Sequence, residues 1–186
     1  MGACRSESPS ERTPQHQPTA AGGAVPAPRC APAVLSGAGV GALRVGAPID
    51  SVRARCAVVR DTVELRAEGQ PARVLAVVVG SDTVVAEVDS GRVWRIEVTR
   101  PSPRTADSLG VGTPLARLLA LPGAHGLSGE GAVFVVSPAR CGLSFQLSEA
   151  RLGDAPPDTW DRAALRRLPS STVVTRVLIV GCQAAA

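Results

Sequence analysis

One ten-residue pattern occurs twice in this chain. Residues 43–52 read LRVGAPIDSV and residues 109–118 read LGVGTPLARL, so both spell Leu-x-Val-Gly-x-Pro-(Ile/Leu)-x-x-(Val/Leu). In each copy an apolar pair, Leu43 with Val45 or Leu109 with Val111, predicts a short extended piece. Gly46 or Gly112 makes a turn, and Pro48 or Pro114 takes the first helical position, where a missing N–H costs nothing. Thr113 is placed to cap the second helix. The apolar stripe then runs Ile49, Val52, Cys56 in one copy and Leu115, Leu118, Leu119 in the other, at helical spacing. Pro122-Gly123 stops the second helix. A motif that starts a helix twice predicts a tandem architecture.

Strand-like pieces follow each copy. After the first come residues 57–65, 74–79, 83–88 and 92–98, separated by turn signals at 68–71, 80–82 and 89–91. In the last of these, Trp94, Ile96 and Val98 alternate with Arg95 and Glu97, the pattern of a half-buried antiparallel strand. After the second copy come strands at 132–136 and 142–147, a helix at 159–168 capped by Asp158 and stopped by Pro169, and a strand at 172–180. The expected fold class is therefore α+β. Two tandem repeats, 31–104 and 105–186, would each consist of a short helix followed by an antiparallel β-meander. The seam is 100–104, with Pro101 and Pro103. Hydrophobic residues make up 45% of the chain but aromatics only 2%, so Val, Leu and Ala must fill the core. No stretch approaches the roughly 18 apolar residues of a spanning helix.

The 20 basic residues are all Arg, and Lys and Asn are missing altogether. Codon chemistry makes this the signature of a GC-rich genome and points to a bacterium. The net charge of +4 does not read as a nucleic-acid footprint. The arginines are scattered among acids, and there is almost no aromatic surface on which bases could stack. They read as solvated charges on strand and helix faces.

Residues 1–30 show no apolar period and read as a flexible tether. Within it, Gly2-Ala3-Cys4 admits three readings: the end of a bacterial lipobox whose basic and apolar segments lie upstream of the assigned start, a myristoylation signal with a neighbouring acylatable Cys, or an incidental Cys. The first agrees with the genome argument and makes Cys4 a lipidation site. Setting Cys4 aside leaves Cys30, Cys56, Cys141 and Cys182, which permit three pairings. Cys30–Cys182 would tie the termini and Cys56–Cys141 would staple the two repeats; the alternative is buried free thiols. None of the cysteines has metal-ligand spacing, so no metal and no cofactor is expected.

Two motifs with catalytic overtones are set aside. Residues 37–42, GAGVGA, match a dinucleotide fingerprint, but Gly46 and Pro48 break the long helix that must follow it. Residues 125–131, HGLSGEG, bring His, Ser and Glu together, but Glu130 stands where a nucleophile elbow needs Gly. This stretch reads instead as a mobile contact loop.

A Gly-x-Pro turn, a short helix and a β-meander, in tandem behind a lipoprotein-like leader, resemble two bacterial groups. One is the small outer-membrane assembly lipoproteins of the BamE/OmlA type; the other is the fold of the β-lactamase inhibitor protein. Those groups usually carry Gly-Met-Thr or Gly-Met-Ser at the turn, where this chain has Gly46-Ala47-Pro48 and Gly112-Thr113-Pro114. The inhibitor's aromatic-rich binding sheet has no counterpart here, so inhibition is not implied. The resemblance implies a non-catalytic interaction module of the cell envelope. Its partner would be an unknown envelope protein or component, and it would touch the membrane only through the lipid anchor. The expected contacts are an exposed sheet face and two loops, with Ser102 and Arg104 in one and His125, Ser128 and Glu130 in the other. The alternative is a small extracytoplasmic enzyme or thiol-redox factor that uses a Cys or the His125 loop.

Overall fold

The computed structural model describes residues 30–66, 69–148 and 157–182. The tether and Cys4 lie outside these residues. The chain opens with a small antiparallel sheet, β1 (Leu35–Ser36), β2 (Gly39–Val40) and β3 (Leu43–Arg44). Then come α1 (Ile49–Arg55), β4 (Val58–Leu65), β5 (Pro71–Val79), β6 (Asp82–Asp89) and β7 (Arg92–Val98). The second half holds α2 (Leu115–Leu119), β8 (His125–Gly129), β9 (Ala132–Val136), β10 (Leu143–Leu147), β11 (Thr159–Trp160), α3 (Arg162–Arg166) and β12 (Val174–Ile179). Strands β4 to β12 form one antiparallel sheet in the order β11-β8-β9-β10-β12-β7-β6-β5-β4.

This corrects the expected fold class. The protein is predominantly antiparallel β, not a pair of α+β repeats, for two physical reasons. The helices are only seven, five and five residues long, while β-branched Val fills the strands. Moreover β7 and β12, the last strands of the two halves, pair with each other, so one sheet spans both halves of the chain. Their register is symmetric about the Glu97–Leu178 pair: Val177 lies opposite Val98 and Ile179 opposite Ile96.

The two Gly-x-Pro motifs take the same backbone path. Gly46 and Gly112 have φ of 83° and 84°, a conformation that favours glycine. The Gly46 N–H donates to the Val93 carbonyl (2.6 Å), and that of Gly112 to Val174 (2.7 Å). Ile49 donates to Gly91 and Leu115 to Thr172, while Val93 and Val174 donate back to Ala47 and Thr113. Each motif is thus laced to the strand that ends its own half. Pro48 and Pro114 remain extended, with ψ of 144° and 142°, and precede the first helical residue instead of occupying it. The Thr113 hydroxyl caps no helix; it accepts from the Gly110 N–H (2.9 Å). The third helix is likewise shorter than its pattern suggests. Residues 159–160 are strand, and Asp161, not Asp158, is the cap, its carboxylate accepting from the Ala164 N–H (2.6 Å).

The inner face of the sheet carries the core. Leu75, Val77, Ile96, Val98, Val135, Phe145 and Val177 pack beneath Ile49 and Val52 of α1, Leu115 and Leu118 of α2, Leu165 of α3, and Leu43 of the small sheet. Aliphatic side chains do nearly all of this, as the low aromatic content requires.

Both disulfides are local to their own half: Cys30–Cys56, with Cα atoms 5.0 Å apart, and Cys141–Cys182, 5.2 Å apart. The expected pairings Cys56–Cys141 and Cys30–Cys182 are therefore corrected. Val78 explains the first, since its carbonyl accepts from the Cys30 N–H while its own N–H donates to Ala57, beside Cys56. Antiparallel pairing of β10 with β12 explains the second, because Cys141 and Cys182 lie just beyond the paired ends Leu143 and Ile179. Disulfides of this kind belong to an oxidising, extracytoplasmic compartment. The GAGVGA stretch has a packing role: a Cβ on Gly37 would run into the backbone of Cys141.

Candidate functional site

Period-two alternation sends Glu87, Arg95, Glu97 and Arg176 to the face of the sheet opposite the core. There they join Arg66, just past the end of β4, and Glu130, in the β8–β9 turn, in a closed ring of alternating charge. Arg66 pairs with Glu87 (2.6 Å), Glu87 with Arg95 (2.7 Å), and Arg95 with Glu130. Glu130 pairs with Arg176 (2.9 Å), Arg176 with Glu97 (3.3 Å), and Glu97 with Arg66 (2.8 Å). Three guanidinium groups and three carboxylates cancel in charge. The ring bridges both halves of the chain and surrounds a shallow hollow.

Glu87 is its deepest member, with a side chain only 2% exposed. Its Oε1 atom accepts from Nε and Nη2 of both Arg66 and Arg95. Fork-like, charge-assisted bonding of this kind offsets the desolvation of a buried carboxylate. Glu130 sits in a two-residue hairpin turn with φ of 50°, a left-handed conformation that costs a non-glycine residue about 1 kcal/mol. The two arginines that reach its carboxylate offset that strain.

A bulge shapes the neighbouring surface. The register of β6 with β7 shifts between Glu87 and Val88, so Arg95 lies opposite Glu87 while Val93 lies opposite Val88. Trp94 is the extra residue. It lies 45% exposed beside Arg95, whose guanidinium carbon stacks 4.8 Å from the ring centroid, instead of facing inward with Ile96 as simple alternation suggests. On the other side of the ring Ala132, Phe134 and Leu178 form a small buried apolar cluster, with Leu127 exposed at its margin and Arg176 5.8 Å from the Phe134 centroid.

Electrostatics give the pairing a pH signature. Burial raises the Glu130 pKa, but the Arg95 hydrogen bond and the charges of Arg95 and Arg176 outweigh it, so the net shift is downward. Asp107 is lowered chiefly by the hydrogen bond from Arg140. Asp61 is lowered chiefly by that from Arg73. A carboxyl depressed in the folded state holds fewer protons there than in the unfolded chain, so acid favours unfolding. Stability should stay level from neutral pH down to about pH 5 and fall below about pH 4. The urea midpoint measured between those limits checks this, and Glu130→Gln should flatten the slope.

The residues singled out from the sequence do not converge. Ser102 is exposed in the connection after β7. Arg104 braces that connection by donating to the Pro101 carbonyl (2.8 Å) and to the Thr113 hydroxyl (3.2 Å). Residues 125–129 are strand β8 and not a mobile loop, because they pair along their length with β9. His125 Nδ1 meets the Gly123 carbonyl (3.0 Å), and the Ser128 hydroxyl ties the Pro157 carbonyl (2.7 Å) to the Trp160 indole (2.9 Å). Both are structural anchors. Glu130 alone belongs to the ring. Arg66, Arg95 and Arg176 are paired, not freely solvated as their scatter suggested. The sequence did hold a signal: Glu87, Arg95, Glu97 and Arg176 are each flanked by apolar or β-branched residues of a strand.

A cleft of about 610 Å³ opens elsewhere, between β1 and the second half, lined by the exposed Cys141–Cys182 pair and by the ion pair of Asp107 with Arg140 (2.5 Å).

No protein-family model matches the chain, and no curated protein does. Among solved structures it is similar to the uncharacterised protein YfeY from Escherichia coli. The TM-score is 0.54 and the identity 21%, over 78% of this chain and 98% of that one. At this identity the likeness is one of fold.

Proposed function

We propose that this protein is a non-catalytic binding module of the bacterial cell envelope, held at the membrane by a lipid on Cys4, whose working surface is the outer face of the long sheet. The observation that carries this reading is the surface itself. A pre-organised, charge-neutral ring lies between two exposed apolar side chains, Trp94 and Leu127, the latter at the margin of the buried Phe134–Leu178 cluster. Aromatic and arginine side chains already held in place lose little freedom when a partner docks. The two disulfides suit an extracytoplasmic location.

The test uses photo-crosslinking residues at Trp94 and Leu127, with Asp50 on the opposite side as control, in cells of the native organism. The expected result is one shared adduct from both face positions, lost from the Leu127 position when the exposed Trp94 is changed by Trp94→Asp. Equal yield of that adduct from the control position would overturn the reading. Lipidation is read separately: a fatty-acid probe should label the protein and should fail to label Cys4→Ser.

Thiol–disulfide exchange is favoured by one observation, the exposure of Cys141–Cys182 in the large cleft. Catalysed reduction of a model disulfide that is lost in Cys141→Ser would establish it.

A further inference from the structure

We propose that two copies of this chain associate through β4, edge to edge and antiparallel, in the register that places Thr62 opposite Thr62 of the second copy. This goes beyond the proposed binding role and uses a different surface.

Strand β4 ends the nine-stranded sheet, and among the described residues nothing pairs with its outer side. Val63 and Leu65 are 65% and 76% exposed there. The Arg66 N–H donates to Gln70 (2.9 Å), toward β5. By alternation Glu64 and Thr62 also turn their backbone groups to β5, while Asp61, Val63 and Leu65 turn theirs to solvent. An edge this long and this apolar is a template for another strand.

Charge decides which strand it fits and in what register. Arg60 and Glu64 lie opposite Ala76 and Ala72, so they share one face of the sheet. They are also spaced evenly about Thr62. An antiparallel copy centred on Thr62 therefore sets Arg60 against Glu64 twice over, at the non-hydrogen-bonded positions where side chains come closest. The same alignment brings Asp61 opposite Val63, both with outward backbone groups, and gives four inter-chain hydrogen bonds. Other alignments compatible with the backbone fare worse. Centring on Val63 opposes Arg60 to Arg66, centring on Asp61 opposes two aspartates, and centring on Glu64 opposes two glutamates. Edge charges of one sign would block association, whereas this pattern is self-complementary about a point, as a two-fold interface requires. Within one chain Arg60 and Glu64 already reach each other along the edge at 3.1 Å, and Glu64 also lies 3.7 Å from Arg66; these are partly exposed contacts of little energy, so Arg60 and Glu64 can exchange partners at small cost.

Sedimentation equilibrium of the full chain, over a concentration series to about 1 mM, reads the association. The expected species is a dimer. Arg60→Glu and Glu64→Arg, each alone, should weaken it by about tenfold or more, because each opposes like charges twice. The double reversal Arg60→Glu with Glu64→Arg restores both pairs and should recover the dimer. A chain that stays monomeric throughout overturns the proposal. So does a dimer indifferent to the single reversals, or one that the double reversal fails to restore. Arg60 is 55% exposed and Glu64 half-buried at 30%, and neither enters the core, so the variants should fold, which circular dichroism verifies.

Discussion

Replacing Glu87 with Ala should cost about 3–5 kcal/mol of folding stability, the range for removing one partner from a buried ion pair. The expectation rests on what remains behind. The Glu87 carboxylate lies between Arg66 and Arg95 and accepts from two nitrogens of each. Without it two guanidinium groups face each other across a site where they are only 21% and 11% exposed. Water reaches them poorly, so their repulsion is weakly screened. Glu87→Gln keeps the shape and one acceptor and should cost less, about 1.5–3 kcal/mol. In the double variant Glu87→Ala, Arg95→Ala the repulsion disappears, so the loss should be smaller than the sum of the single losses by about 1–3 kcal/mol. Urea unfolding monitored by tryptophan fluorescence measures these variants together with Arg95→Ala, which completes the cycle. A loss below about 1 kcal/mol for Glu87→Ala would mean that the ring is a surface decoration.

The ring also shows where sequence reading reaches its limit. The strands at 92–98 and 132–136 were legible in place, since turn residues bound them and apolar residues fill them. The Gly-x-Pro motifs were legible as turns before short helices because Gly and Pro act through the local backbone. Local errors fell at the helix caps, with Pro48 and Pro114 just outside their helices and Asp161 in place of Asp158, while the larger failures were non-local. The pairing of β7 with β12 joins distant segments, and no local pattern announces it. Trp94 fell on the wrong face because one bulge residue shifts alternation by a step. The ring was missed because each charge taken singly looks solvated, and its partners arrive from β4, β6, β7, β12 and the β8–β9 turn.

Cysteine pairing is the other non-local fact, and it leads to the second large effect. Opening Cys30–Cys56 by Cys30→Ala with Cys56→Ala should cost about 3.5 kcal/mol by loop closure, since the bridged residues are 26 apart. Both cysteines are buried at 1% exposure, so lost packing adds to that figure. The second bridge spans 41 residues, which gives about 4 kcal/mol on the same reckoning. Its cysteines are exposed, so no comparable packing loss follows. The two bridges should therefore differ less in stability than in access. Graded thiol reductant on the native protein, followed by alkylation and peptide mass mapping, should label Cys141 and Cys182 first. Cys30 and Cys56 should become reactive only as the sheet unfolds, because Cys30 is held under β5 by its bond to Val78. Simultaneous labelling of all four cysteines in folded protein would show that the first bridge is not sealed by the core, and the expected difference in stability would go with it.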